Sequence, residues 1–268
     1  MCAATNEIRR DDEGPVTDAG VATVLRPFVR AARPLLGALS DADPFGLQAR
    51  ARRALELGGH GDRKLRDRVL DRLARTRVPG TAAWAGMDTH ERSRFWVRRV
   101  GRVTSLVAAV PGFGGAVTSR LPVAGALGAA AQGLVLCAIA DEHDVHDEAE
   151  VVALLGAVMF RRDLSPKPRA ALGAASDAEV DARAAELTGE LRHDKKPTLQ
   201  RIAGGIWRMG AALLALQDEL AKRPHGGRIS RMLSLLPVVG IAGKYVGEWS
   251  GLKKAAKAGE QWLHARGR

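Results

Sequence analysis

Residues 103–140 read VTSLVAAVPGFGGAVTSRLPVAGALGAAAQGLVLCAIA, and Arg120 is the only charged residue among them. No other part of the chain is as apolar over such a length. The stretch must be buried in a protein core or in lipid, because soluble monomers rarely expose large contiguous apolar surfaces. Pro111, Gly112 and Pro122 interrupt it, which predicts two helical arms rather than one continuous rod.

The second arm, Leu121–Ala140, carries no charge and has about the length that a helix needs to cross a bilayer. It consists mostly of Ala and Gly, and small residues let helix backbones approach closely. Gly125, Ala129 and Gly133 recur every four residues and therefore share one face of a helix. Three interpretations remain open: a hairpin buried in a soluble core, partial insertion into one leaflet, and a true membrane span.

The composition favours helices throughout. Ala, Leu, Arg and Glu are abundant, whereas there is one Tyr and there are five Phe. No stretch alternates apolar and polar residues in the way that a half-buried strand requires. We therefore predict an all-α fold, a multi-helix bundle around the Ala/Gly-rich apolar helical hairpin.

The distribution of charge predicts three regions: a disordered acidic N-terminal arm (1–20), a basic N-terminal helical region (21–87) and a main helical domain (88–268). The chain has a net charge of +11. Residues 1–20 contain five acidic and two basic side chains, so the excess positive charge lies in the rest of the chain. Such an excess indicates an anionic partner, either a phospholipid surface or a nucleic acid.

Within these regions the patterns predict individual elements. Pro27 and Pro34 predict a broken helix at the surface over Val21–Leu39. Further helices are predicted over Phe45–Leu57 and, with many arginines, over Asp62–Val78. Capping-box spacing at three positions predicts helix starts near Asp88, Asp147 and Ser176, and the last of these helices is expected to reach about Arg192. A long apolar stripe predicts another helix from Thr198 to Arg223.

Basic and aromatic residues accompany both apolar segments, and these are the candidate lipid- and anion-binding residues. They are Arg92, Arg94, Arg98, Arg99, Arg102 and Trp96 before the hairpin, and Lys253, Lys254, Lys257 and Trp249 near the C-terminus. Cationic and aromatic side chains at the end of an apolar segment are typical of an interfacial anchor. The alternative is a helix that buries Phe95, Trp96 and Val100 and leaves its arginines in water.

The sequence DEHDVHDEAE, residues 141–150, contains His143 and His146 among carboxylates. Three such ligands could converge on zinc, but Asp147 and Glu150 have the spacing of a helix cap. We favour a polar turn and predict no metal and no cofactor. Cys2 and Cys137 are the only cysteines, and a structural disulfide between them is not expected. The polar first twenty residues do not resemble a secretory signal, so a cytoplasmic location is predicted.

Three features together resemble the EcsC family: the Gly/Pro-rich apolar hairpin, the joint IADEHDVHDEAE, and the closing segment LLPVVGIAGKYVGEWSGLKKAAKAG. The resemblance covers roughly residues 90–265 and makes residues 88–268 an EcsC-like helical domain. It implies a bacterial protein that associates with the inner face of the cell membrane, sometimes in connection with an export complex. That family has no agreed enzymatic activity, so the resemblance implies no catalytic residues.

The sequence thus favours a non-enzymatic, membrane-associated helical protein that docks on anionic lipid and on a membrane transport or export complex. The alternative is a soluble helical nucleic-acid-binding protein, although no known nucleic-acid-binding motif is present. The chain contains neither G-x-S-x-G nor H-E-x-x-H, and its PGFGG run lacks the Lys-Ser/Thr of a phosphate-binding loop. These absences argue against a hydrolase.

Overall fold

The structure is a computed structural model that describes residues 17–41, 79, 82–109, 123–164, 175–189, 198–221 and 244–266. Within these ranges 88% of the residues are helical and there is no strand, which confirms the all-α prediction. The elements are α1 (Asp18–Asp41), α2 (Ala82–Ala85), α3 (Thr89–Ala109), α4 (Val123–Glu142), α5 (Glu148–Phe160), α6 (Asp177–Thr188), α7 (Leu199–Ala221) and α8 (Lys244–Arg266).

The second apolar arm forms α4, the central helix of the bundle. It packs against α1, α3, α5, α7 and α8. Leu134, Leu136 and Ile139 are fully buried. A helix that is apolar on every side needs neighbours on every side, and these five helices supply them. The predicted bundle around an apolar hairpin is therefore confirmed.

The first arm of the hairpin lies in α3, which runs antiparallel to α4. Trp96, near the start of α3, donates a hydrogen bond from Nε1 to Glu142 at the end of α4, over 2.9 Å. Residues 110–122, which join the arms and include Pro111 and Pro122, lie outside the described residues.

Among the described helices, α4 alone is long and apolar enough to pass the length and composition test for a membrane span. The segment that passes is Gly125–Glu142, and 72% of it is buried inside the protein. The core helix of a soluble protein passes the same test. In this fold the apolar surface of α4 is covered largely by protein.

Small residues allow close contacts between helices, as predicted. For most of these contacts the sequence does not indicate which helix is the partner. A methyl group added at Gly133 would overlap the ring of Phe28 from α1. One added at Gly210 of α7 would overlap the backbone carbonyl of Ala126. At Gly210, therefore, the backbone of α7 lies directly against the backbone of α4.

The prediction of a broken surface helix over Val21–Leu39 is wrong. α1 is continuous through Pro27 and Pro34, and its large side chains Leu25, Phe28, Leu35 and Leu39 are buried in the core. Each proline costs about 3 kcal/mol inside a helix. Burial of each large apolar side chain returns about 1.5–3 kcal/mol, and this burial outweighs the loss.

The capping predictions hold at the helix starts. The side chain of Asp147 accepts a hydrogen bond from the Ala149 backbone N–H over 3.2 Å, and Ser176 and Glu179 form a complete capping box. The predicted end of α6 is wrong: the helix stops at Thr188 rather than near Arg192. Gly189 follows with a φ of 61°, a value that glycine adopts without strain.

Several predictions concern residues outside the described ranges. These are the helices over Phe45–Leu57 and Asp62–Val78. The division at residues 20 and 87 stays a prediction. α1 begins at Asp18 and shares one hydrophobic core with helices of the 88–268 region.

Candidate functional site

α3 divides its residues between the core and solvent. Its N-terminus is capped by Asp88, whose side chain accepts a hydrogen bond from the Glu91 backbone N–H over 2.7 Å. One side of the helix is buried, with Val97, Val100, Val103 and Val107. The opposite side is exposed, with His90, Arg94, Arg98 and Arg102.

Trp96 lies in the core, with only 6% of its surface exposed. Its indole N–H binds Glu142, and Arg92 lies 3.5 Å from the same carboxylate. Arg92 also donates to the Met87 carbonyl over 3.1 Å. The burial contradicts the prediction of Trp96 as an interfacial aromatic residue. Together Arg92 and Trp96 join the start of α3 to the end of α4.

Arg99 also has a structural contact. Its Nε donates to the Leu39 carbonyl over 3.0 Å. Leu39 is in the last turn of α1, where backbone carbonyls have no partner within the helix. Arg99 thus links α3 to α1. Of the five predicted arginines, Arg92 and Arg99 bind backbone carbonyls, and the other three face outward.

The three outward arginines form a row along α3. Arg94, Arg98 and Arg102 recur every four residues and are exposed. Within the described part of the chain, none of the three has a hydrogen-bond or ion-pair partner. Neighbouring side chains at this spacing are about 5–6 Å apart, and like charges there repel each other. The row is therefore a site of unbalanced positive charge.

An open groove of about 340 Å³ follows this row. Met87 and Phe95 give it an apolar part, and Glu91 is the one acidic residue in the part of its lining that the structure describes. Its basic lining consists of Arg94, Arg98, Arg99 and Arg102. Phe95 is held edge-on against Trp84, with ring centroids 4.9 Å apart. The groove thus combines guanidinium groups with a fixed aromatic surface.

The basic residues of α8 lie on a helix next to α3. Lys253, Lys254 and Lys257 are exposed, and α8 packs against α3, α4 and α5. The side chain of Trp249 lies outside what the structure describes. Trp262 is half-buried, and the guanidinium of Arg266 lies 4.5 Å from its ring centroid.

One contact joins the exposed rows of α3 and α8. His90 Nδ1 is 3.3 Å from Glu260. Arg94 follows His90 by four residues and therefore lies on the same face of α3. Lys257 precedes Glu260 by three residues and lies on the same face of α8. The contact therefore places Arg94 and Lys257 on one side of the protein, and Arg98, Arg102, Lys253 and Lys254 are exposed on the same two helices. We call Arg94, Arg98, Arg102, Lys253, Lys254 and Lys257 the basic face.

The acidic turn between α4 and α5 is stabilised by local contacts. His143 Nδ1 lies 2.9 Å from the Ile139 carbonyl, and His146 Nδ1 lies 3.1 Å from Asp141. No three His, Cys, Asp or Glu side chains among the described residues are placed to hold a metal ion. That these histidines bind no metal stays a prediction.

A second charged cluster, which the sequence did not indicate, links α1 to the N-termini of α5 and α6. Glu148 accepts hydrogen bonds from Arg26, over 2.6 Å, and from Arg30. Both arginines also contact Asp177, and Arg30 contacts Asp181 over 3.1 Å. The one available signal was the position of Arg26 within the apolar stripe of α1, since a buried charge needs a partner. Its partners are more than a hundred residues away.

The cluster makes the stability of the fold depend on pH in the acidic range. The hydrogen bond from Arg30 lowers the pKa of Asp177 below its ordinary value. A carboxyl group with a lowered folded-state pKa stabilises the fold above its unfolded pKa, about 4, and loses this contribution as the pH falls further. We expect the unfolding free energy to fall as the pH drops below about 4, and to fall less steeply in Asp177→Asn. Urea unfolding at several acidic pH values measures both slopes, and identical slopes would contradict the expectation.

Cys137 is buried in α4. Burial raises the pKa of its thiol to about 12. The thiolate is the nucleophilic form of cysteine, so this residue is a core side chain and not a reactive group.

Comparisons with known proteins give no match for the chain among family models, curated proteins or solved structures.

Proposed function

We propose that this chain is a non-enzymatic helical protein that docks peripherally on anionic membrane surfaces through its basic face. The observation that carries the proposal is the row Arg94, Arg98 and Arg102. These side chains face solvent without partners among the described residues and beside the exposed lysines of α8. Phosphate groups at a lipid surface would relieve their mutual repulsion.

The charge on the basic face suffices for reversible binding. Each basic residue close to an anionic leaflet contributes about 1 kcal/mol. Six such residues give about 6 kcal/mol, which corresponds to a dissociation constant of tens of micromolar. Binding of this strength is reversible and sensitive to salt, because exposed charges are screened over about 10 Å at 0.1 M ionic strength.

The packing of α4 supports peripheral docking over insertion. Insertion of α4 would require it to leave contacts with five helices and would expose apolar partners such as Phe28 and Leu213. Each large apolar side chain transferred from the core to water costs about 1.5–3 kcal/mol. We place the protein at the cytoplasmic face of the cell membrane. The resemblance to the EcsC family further suggests a membrane transport or export complex as a partner.

The double variant Arg94→Gln/Arg98→Gln is expected to bind vesicles of mixed phosphatidylglycerol and phosphatidylcholine about thirtyfold more weakly. The two lost charges account for about 2 kcal/mol. Vesicle co-sedimentation over a range of lipid concentrations measures the change.

The matched control is Arg183→Gln/Arg201→Gln, which removes the same charge from exposed positions on α6 and α7. It should change binding less than about threefold, because charges away from the docked face are screened. Equal losses in both variants would contradict the proposed face. Salt-sensitive binding to DNA or RNA without vesicle binding would instead support the nucleic-acid alternative.

A further inference from the structure

We infer that the arginine groove of α3 recognises a lipid headgroup with two phosphates joined by a short bridge, as in diphosphatidylglycerol. The inference rests on the proposed function, because it names the lipid that the basic face would select. It is carried by the length of the arginine row and by the groove beside it.

The row offers two adjacent phosphate positions. Arg94 and Arg98 can bracket one phosphate, and Arg98 and Arg102 can bracket a second, since residues four apart are neighbours on a helix. The two positions are separated by four residues, or about 6 Å along the helix axis. A three-carbon glycerol bridge between two phosphates spans such a separation. A single phosphate would leave one end of the row without a counter-charge.

The groove supplies the rest of the recognition. Its volume of about 340 Å³ lies within the range of small-molecule sites. Guanidinium groups donate paired hydrogen bonds to phosphate oxygens, which adds geometric selectivity to charge attraction. Phe95 presents an apolar surface beside the arginines, and the carbon atoms of the bridge can pack against it. Among the described residues that line the groove, Glu91 is the only acidic side chain beside four arginines, so positive charge dominates this lining.

The test compares two lipids at equal charge. Vesicles carry either phosphatidylglycerol or half that mole fraction of diphosphatidylglycerol, each in phosphatidylcholine, so both present the same net negative charge. The full chain is expected to bind diphosphatidylglycerol about tenfold more tightly, the effect of one additional charged hydrogen bond. Equal binding would overturn the inference and leave the proposed function intact. Absence of binding to either vesicle would contradict both.

Two variants locate the preference. Arg98→Gln removes the arginine shared by both phosphate positions and should abolish the preference for diphosphatidylglycerol. Lys253→Gln removes the same charge from α8, outside the groove lining, and should weaken binding to both lipids while the preference persists. Both side chains are exposed, and thermal unfolding checks that each variant folds. A preference that persists in Arg98→Gln, or one that Lys253→Gln also abolishes, would overturn the inference.

Discussion

Replacement of Gly210 by alanine is expected to lower the free energy of unfolding by about 3 kcal/mol. The new methyl group would overlap the backbone carbonyl of Ala126, with the carbonyl carbon only 2.6 Å away. A backbone atom cannot rotate aside as a flexible side chain can, so α7 and α4 must separate. This separation disturbs the packing of Ile206, Met209 and Leu213, which are fully buried. Urea unfolding followed by circular dichroism measures the loss.

Gly128→Ala is the matched control because it places the same methyl group on α4. Among the described residues, no atom outside the adjacent residues and backbone of α4 itself lies within 4 Å of the added methyl position there. Alanine should therefore stabilise the protein by about 0.5–1 kcal/mol, the usual difference between alanine and glycine in a helix. Equal stabilities of the Gly210→Ala variant and the unmodified protein would show that α4 and α7 are not in close contact.

Glu148→Gln is the second change with a large expected effect, a loss of about 3 kcal/mol in unfolding free energy. Glu148 uses both carboxylate oxygens to bind Arg26 and Arg30, and Arg26 is 7% exposed. An amide carries no charge and turns one acceptor into a donor, so the buried guanidinium of Arg26 loses one of the two carboxylate partners that the structure describes and keeps Asp177. Breaking a buried ion pair on one side is costly for this reason. Chemical unfolding at neutral pH measures the loss.

Glu150→Gln controls for the position of Glu148 in the helix. Both residues lie in the first turn of α5, so both interact with the positive end of its helix dipole. Glu150 is exposed, and its replacement should change stability by less than about 0.5 kcal/mol. A similar loss in the two variants would mean that the helix dipole, and not the arginine cluster, explains the effect.

Much of the fold follows from local sequence. An apolar run without charge identifies α4 as the centre, and Asp147 and Ser176 mark the starts of α5 and α6. These features depend on residues only a few positions apart, so the pattern of the chain reveals them. The arginines of α3 were selected for the same reason, because they stand with Trp96 directly before the apolar stretch. The sequence did not separate the outward row from Arg92 and Arg99.

Features that depend on distant partners were missed. The apolar face of α1 outweighs Pro27 and Pro34 only because other helices bury it. Trp96 was assigned to an interface because its neighbours are arginines, yet its indole binds Glu142. The contact of Gly210 with Ala126 joins two helices that are far apart in sequence. In each case the deciding energy comes from tertiary packing, which periodicity does not report.

Peripheral docking through the basic face, with α4 kept in the core, is tested most directly by washing vesicle-bound protein. The full chain is first bound to vesicles containing phosphatidylglycerol at low ionic strength and separated by flotation. The vesicles are then washed with high salt and, in a second sample, with alkaline carbonate. We predict that high salt alone releases the protein, because screened surface charge holds it. Protein that stays on the vesicles after both washes would contradict the account, since retention of that kind requires insertion of an apolar helix.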